Sequence, residues 1–207
     1  ATADAEVSRT KAWLMAARPQ TLPAGAAPVV VGTGLALHDE VFAPAAAIAA
    51  LLGALLLQVG TNFANDYYDA VKGTDSADRE GFTRVTAGGL IEPARVKQAM
   101  AATYALAVVV GLYLVYVGGL PILVIGLSSI VAGIAYTGGP YPYGYRGLGD
   151  LFVFLYFGVI AVVGTYYVQA AVSLPTVQPL ATGIPEVTVT AAALAASLPV
   201  AGLSTAI

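Results

Sequence analysis

The sequence has 207 residues, of which 58% are hydrophobic and 10% are charged, whereas about a quarter of the residues in an ordinary soluble domain are charged. This composition excludes a soluble globular protein and predicts an all-α, multi-span transmembrane helical bundle. The sequence pI of about 4.9 gives no support to nucleic-acid binding. The absence of cysteine excludes disulfides and thiolate sites within these residues.

The chain opens with a polar segment, residues 1–20, that becomes amphipathic around Trp13. This pattern predicts a helix lying along the membrane interface. Six apolar segments follow, each close to the ~20 residues that a helix needs to cross ~30 Å of hydrocarbon. We expect spans at 21–37, 44–63, 96–117, 120–136, 148–172 and 187–207, and a single transmembrane domain over residues 1–207.

The basic residues indicate how these spans are oriented. All nine Lys and Arg residues fall on one side of the membrane if the N-terminus is cytoplasmic, and cytoplasmic loops carry an excess of these residues. We therefore expect a multi-pass protein of the cytoplasmic membrane. Its N-terminus would face the cytoplasm, together with an Asp-rich loop at 64–95 and a Tyr-rich loop at 137–147.

Four polar residues stand at helical spacing at the end of the second apolar segment. Asn62 and Asp66 are four residues apart, as are Asn65 and Asp69, so all four can share one broad helix face. Mg²⁺ favours oxygen ligands and typically takes one or two carboxylates, completing its shell with water and phosphate. Asp66 and Asp69 are therefore candidate Mg²⁺ ligands. The alternative is a polar helix end with solvated side chains.

Cations and a further acid follow these carboxylates in the Asp-rich segment, at Lys72, Asp75 and Arg84. This mixture fits a metal-bridged polyanion such as a diphosphate, because Lys and Arg can neutralise the phosphate oxygens that the metal does not bind. The alternative for the basic residues is anchoring at the cytoplasmic side of the membrane.

The second cytoplasmic loop is rich in tyrosine, and Arg146 ends it. Tyrosines form aromatic belts at membrane interfaces, which is one interpretation of this loop. The other is a cavity wall, in which ring faces such as those of Tyr136 and Tyr145 stabilise an allylic cation and the hydroxyls orient an aromatic acid. Asp150, at the start of the fifth span, is a further acid within the membrane region, where acids tend to be functional.

Several of these segments together resemble the UbiA-type intramembrane aromatic prenyltransferases. The segments that carry the resemblance are ARPQTLPA (17–24), NDYYDAVKGTD (65–75), RVTAGGLI (84–91) and YTGGPYPYGYRGLGD (136–150). Within that family, the stretch 147–169 most resembles the enzymes that prenylate 1,4-dihydroxy-2-naphthoate in menaquinone synthesis.

The resemblance implies a Mg²⁺-dependent transfer of an isoprenyl group from a polyprenyl diphosphate to an aromatic acid, giving demethylmenaquinone if the acid is the naphthoate. It implies the following roles: the first Asp-rich motif at Asn62, Asn65, Asp66 and Asp69, its later acid at Asp75, diphosphate-side cations at Lys72 and Arg84, and substrate contacts at Tyr136 and Arg146. The alternatives are another acceptor, 4-hydroxybenzoate or homogentisate, and a cation-coupled membrane carrier.

One departure from the family pattern concerns the end of the chain. Family members have nine spans and a second Asp-rich motif after the sixth, whereas this chain stops within an apolar run at Ile207. We therefore expect a truncated chain that holds six of nine spans and is inactive by itself.

Overall fold

The structure is a computed structural model that describes residues 7–73, 85–86 and 88–173. Within these ranges it contains helices and turns and no strand, which confirms the all-α prediction. Four helical segments of the described chain are long and apolar enough to cross a membrane, which confirms a multi-span helical bundle. The predicted sixth span, 187–207, lies outside the described residues.

The N-terminal segment forms a short helix followed by a sharp turn into the first span. Helix α1 (Arg9–Ala17) is capped by Ser8, whose hydroxyl accepts a hydrogen bond from the Lys11 N–H at 3.3 Å. It ends at Arg18, which adopts a left-handed conformation with φ 51° and ψ 67°. A 3₁₀ turn then leads into α2 (Leu22–His38), in good agreement with the first predicted span.

Helix α3 (Pro44–Lys72) is longer than the predicted second span. The sequence predicts a loop from residue 64 onward, but residues 64–72 continue the helix, and this boundary was wrong. The physical reason lies in the motif itself, because its polar residues keep the helical spacing and no helix-breaking residue occurs before Gly73. Gly73 ends the helix in the left-handed region at φ 65°, where a residue without a Cβ is favoured.

Helix α4 (Pro93–Ala135) contains the third and fourth predicted spans, and its chain direction reverses at Gly119 (φ 68°, ψ −154°). The reversal is evident from Tyr104 and Gly133, one in each half. A Cβ placed on Gly133 would lie 2.8 Å from the Tyr104 hydroxyl oxygen, whereas a straight helix would separate the two residues by roughly 40 Å. The two halves therefore pack side by side as a hairpin.

The last described span is a continuous helical segment with a change of winding. It consists of α5 (Gly149–Val153), a π-helical stretch (Phe154–Ile160) and α6 (Ala161–Ser173). A 3₁₀ turn (Tyr143–Arg146) in the preceding loop leads into the start of α5. Helix α6 packs closely on α2, where a Cβ on Gly32 would lie 2.6 Å from the Val162 carbonyl oxygen.

Two buried apolar clusters hold the helices together at opposite ends of α3. One joins α1 and the start of α4 to the C-terminal half of α3, and in it the Trp13 ring meets Phe63 edge-on at a centroid distance of 5.9 Å. The other joins Ala46 of α3, Ile122 of α4 and Val168 of α6. Both clusters border open space between the helices, since Leu57 of the first and Ile122 and Val168 of the second also line a cavity.

Candidate active site

A cavity of about 520 Å³ lies between α2, α3, both halves of α4 and the α5–α6 segment. Helix α3 lines it with a stripe of residues three or four positions apart that starts at Ala50 and ends at Asp69. At 1.5 Å per residue this stripe extends over roughly 28 Å. Its first half is apolar, and from Gln58 onward it is polar. The cavity therefore has a long apolar part and a polar end at the predicted motif.

Asp69 is at this polar end and is fully buried. Its Oδ1 accepts a hydrogen bond from the hydroxyl of Tyr145, which comes from the 3₁₀ turn of the second loop. The second loop therefore contacts the Asp-rich motif at this carboxylate.

Asp66 is also buried, one helical turn before Asp69, but it is not among the residues that line the cavity. Its Oδ2 accepts hydrogen bonds from the backbone N–H and the hydroxyl of Thr86, at 3.2 and 2.5 Å. The carboxylate thus lies at the edge of the site, against the segment that follows the Asp-rich motif.

The two asparagines of the motif line the cavity and also hold neighbouring segments in place. The Asn62 Nδ2 group donates to the Ala17 carbonyl and to the Thr21 hydroxyl, both at 2.9 Å. The Asn65 Oδ1 atom accepts from the Thr137 hydroxyl at 3.1 Å. Asn62 therefore ties down the turn between α1 and α2, and Asn65 ties down the second loop.

Tyrosines of the second loop form part of the cavity wall. The Tyr136 ring meets Tyr143 edge-on at 5.3 Å, and Tyr143 stacks on Phe152 at 4.1 Å. The Tyr143 hydroxyl donates to the Ala132 carbonyl at 2.9 Å. Burial, with smaller contributions from the tyrosines around it, raises the pKa of Tyr143 to about 12, so the Tyr143 hydroxyl is uncharged at neutral pH.

The predicted site residues Arg146 and Asp150 are exposed and do not line the cavity. The Arg146 guanidinium lies 4.9 Å from the centroid of the Tyr141 ring. Asp150 is in the first turn of α5, where a negative side chain is favoured by the helix dipole. Neither position brings its charge to Asp69 in this structure.

Lys72 is exposed and is not part of the cavity wall either. Its ammonium donates to the carbonyl oxygens of Thr137 and Gly139, at 2.7 and 2.9 Å. Asp75 and Arg84, the remaining predicted site residues, lie outside the described residues.

Arg18 is the residue that the sequence analysis did not assign and that lies in the site. Among the described residues that line the cavity it is the only basic one. It belongs to the ARPQTLPA segment, so its position in a motif was visible, but no sequence spacing connects it to Asp69. Arg18 reaches the cavity because the chain turns at this residue and because Asn62 donates to the carbonyl of the preceding Ala17.

The residues at the polar end fit a hard divalent cation such as Mg²⁺. Asp66 and Asp69 are buried carboxylates one turn apart, and Asn65 adds an amide oxygen on the same helix. Within the described chain, no three His, Cys, Asp or Glu side chains cluster as a complete metal site. A set of two carboxylates suits Mg²⁺, which usually keeps waters and binds substrate phosphate.

Comparison with known proteins agrees with this arrangement. Residues 26–207 match the family described as the UbiA prenyltransferase family. The chain is 44% identical over 176 residues to the 1,4-dihydroxy-2-naphthoate octaprenyltransferase of Escherichia coli (strain K12), covering 82% of this chain and 57% of that protein. It is 44% identical over 160 residues to the protein of the same name from Mycobacterium tuberculosis, covering 76% and 54%.

A more distant relative is the UbiA prenyltransferase domain-containing protein 1 of Rattus norvegicus, which is 30% identical over 161 residues, covering 76% of this chain and 47% of that protein. The chain thus spans about half the length of the curated relatives it matches. The family match includes the buried carboxylates and the second loop. The chain belongs to the UbiA prenyltransferase family.

Proposed function

We propose that the protein transfers an isoprenyl group from a polyprenyl diphosphate to 1,4-dihydroxy-2-naphthoate, with loss of diphosphate and carbon dioxide, in quinone synthesis. The observation that carries this proposal is the cavity, which joins a buried carboxylate at Asp69 to a long apolar wall along α3. Such a shape suits a substrate that has a polyanionic head and a hydrocarbon tail. The names of the relatives supply the acceptor.

Asp66 and Asp69 are the residues that would hold Mg²⁺ on the diphosphate, with Asn65 beside them. The metal, when bound, would offset the negative charge that develops on the leaving group. Arg18 lies in the cavity wall, and we assign it the same electrostatic task, together with Arg84 as the sequence predicts. Fixed cations at this position favour the transition state more than the ground state, because the charge on the diphosphate grows as the C–O bond breaks.

The tyrosines of the second loop would act on the other reacting group. Tyr136 and Tyr143 line the cavity, and aromatic rings attract cations. They would therefore stabilise the allylic cation until the ring carbon of the naphthoate attacks it. The apolar part of the wall would limit the access of water, which would otherwise hydrolyse the cation.

The proposed orientation places the N-terminus and both loops in the cytoplasm, where a soluble aromatic acid and a diphosphate are available. It rests on the distribution of the nine basic residues. The apolar tail would extend along α3 toward the middle of the bilayer.

Membranes that contain the full-length protein test this function directly. They are incubated with one polyprenyl diphosphate, Mg²⁺ and, separately, 1,4-dihydroxy-2-naphthoate, 4-hydroxybenzoate or homogentisate. We expect the naphthoate to be the preferred acceptor and to give a decarboxylated prenylnaphthalenediol as the main product, which Asp69→Asn should abolish. Glu92→Gln is the matched control, because Glu92 is an exposed acid paired at the surface with Arg95. A clear preference for another acid would overturn the acceptor, and normal turnover by Asp69→Asn would overturn the site.

A further inference from the structure

We infer that Lys72 is a positioning residue, which fixes the turn at residues 137–139 and thereby holds the second loop against Asp69. The sequence assigns its charge to the diphosphate, and the contacts in the structure favour this different task. The effect on the reaction rests on the proposed function, whereas the effect on the loop does not.

The ammonium of Lys72 lies against the second loop. It donates to two backbone carbonyl oxygens of the second loop, those of Thr137 at 2.7 Å and Gly139 at 2.9 Å. A lysine ammonium has three donors and no acceptor, and hydrogen bonds from a charged donor are roughly twice as strong as neutral ones. Two of its three donors are therefore used by the loop, outside the cavity wall.

The carbonyls of Thr137 and Gly139 need a donor because they lie just beyond the end of a helix. Helix α4 ends at Ala135, and the carbonyls beyond a helix end have no partner within the helix. Gly138 still donates its N–H to the Ile134 carbonyl at 2.8 Å, and Gly139 then turns the chain in the left-handed region at φ 71°. A cation at the C-terminal end of a helix is also favoured by the helix dipole. Lys72 supplies that cation from α3.

The second loop also donates hydrogen bonds to the Asp-rich motif. The Thr137 hydroxyl donates to Asn65, and the Tyr145 hydroxyl donates to Asp69. Asn65, Asp69 and Lys72 are four and three residues apart on α3, so they share one helix face. The second loop is therefore attached to this face at three successive points, and Lys72 provides the outermost of them, at the point where the helix ends.

The hydrogen bonds from Lys72 to the turn also help to fix the position of Tyr136, which precedes the turn. The Tyr136 carbonyl accepts from the Gly144 N–H at 3.0 Å, which closes the loop on itself. A Cβ on Gly144 would lie 2.7 Å from that same carbonyl oxygen, so the two ends of the loop are in direct contact. Release of the turn at residues 137–139 would therefore move Tyr136 and Tyr145 together.

Limited trypsin cleavage of the purified full-length protein in detergent tests the position of the loop without any substrate. Arg146 is exposed, and the bond after it is cut when the loop opens. We expect Lys72→Met to speed this cleavage by roughly tenfold. Lys72→Arg, which keeps the charge and two donors, should stay within about twofold of the parent rate. The matched control is Lys97→Met, because Lys97 is an exposed lysine whose ammonium lies 5.8 Å from the Tyr67 ring centroid.

A second variant removes the contact from the other partner and leaves the ammonium in place. Gly139→Ala meets no atom within 4 Å but strains the left-handed turn, so it should displace the carbonyl that Lys72 binds. We expect it to speed cleavage after Arg146 as well, and the double variant with Lys72→Met should add little to either single change. Full additivity would show that Lys72 does not act through this turn.

Steady-state kinetics separate positioning from a direct contact with the diphosphate. If Lys72 positions the loop, Lys72→Met lowers kcat at least tenfold, while KM for the polyprenyl diphosphate and inhibition by inorganic pyrophosphate change by less than about threefold. A large rise in KM and in the inhibition constant of pyrophosphate, with unchanged cleavage after Arg146, would overturn the inference. If the parent protein transfers no prenyl group, the proposed function fails, and the cleavage rates still decide the role of Lys72.

Discussion

Thr86 donates two hydrogen bonds to one carboxylate oxygen of Asp66, from its backbone N–H and from its hydroxyl. Both residues are buried, and 20 positions of the chain separate them. A carboxylate that is removed from water needs donors, and two on the same oxygen fix its direction. Thr86 thus joins the segment after the Asp-rich motif to the motif itself.

The first prediction follows from this contact. Thr86→Val keeps the shape and the backbone N–H of the residue and removes the hydroxyl donor. We expect the free energy of unfolding to fall by about 1–3 kcal/mol, because a buried carboxylate loses a hydrogen bond. Unfolding in detergent measures the change. Thr103→Val is the control, since the Thr103 hydroxyl donates only to the Ala99 carbonyl of its own helix, at 2.8 Å. An equal loss in both variants would contradict the prediction.

The helical bundle and the position of its motif followed from the sequence for local reasons. The spacing of Asn62, Asn65, Asp66 and Asp69 is a property of a few turns of one helix, so it was visible as a pattern. The apolar segments are long because the bilayer is thick, and the reversal at Gly119 occurs between two of them. These features depend on neighbouring residues only.

The partners of the polar residues could not be predicted in the same way. Thr86, Thr137 and Tyr145 reach the motif across 20, 72 and 76 positions, and no spacing relates them to it. Charge was also a poor guide, because Lys72 and Arg18 are both cations close to motif residues, and only Arg18 lines the cavity. Which cation faces the cavity depends on how the helices pack, and the sequence pattern does not contain that information.

The second prediction concerns the contact between α2 and α6. A Cβ on Gly32 would lie 2.6 Å from the Val162 carbonyl oxygen, which belongs to the backbone and cannot rotate away. Gly32→Ala should therefore lower the free energy of unfolding by about 1–3 kcal/mol, since overpacking forces the helices apart. Gly34→Ala is a control in the same helix, because a Cβ there meets no atom within 4 Å. It should be neutral or stabilising by up to about 1 kcal/mol.

Thermal unfolding of both variants in detergent compares them directly. The close approach of α2 and α6 would be disproved by a Gly32→Ala protein as stable as the parent. A marked loss of stability in Gly34→Ala would instead show that another element packs against the exposed side of α2.

The third prediction concerns Tyr143 and alkaline pH. Its folded-state pKa is raised by burial from 10.0 to about 12, so the unfolded chain loses this proton first as pH rises. The stabilisation that comes from the neutral hydroxyl, which donates to Ala132, is therefore complete below pH 10 and is lost as pH rises through about 12. Tyr143→Phe keeps the ring stacked on Phe152 and removes the titration.

The measurement is the difference in unfolding temperature between the parent protein and Tyr143→Phe. This difference should be constant from pH 7 to 9 and should shrink between pH 10 and 11. A difference that stays constant over the whole range would show that the pKa of Tyr143 is the same in the folded and unfolded chains.

The fourth prediction concerns orientation, and single introduced cysteines test it. No cysteine occurs within these 207 residues, and any cysteine in the rest of the full-length protein is first replaced by serine. Lys11 in α1 and His38 at the end of α2 are separated by one span, and both are exposed, His38 to 84% of its side chain. If the basic residues lie in the cytoplasm, a cysteine at position 38 of the full-length protein reacts with an impermeant maleimide added outside intact cells. A cysteine at position 11 reacts only after the membrane is opened. The reverse pattern would place the carboxylates of Asp66 and Asp69 on the outer face, where neither a cytoplasmic acid nor the diphosphate could reach them.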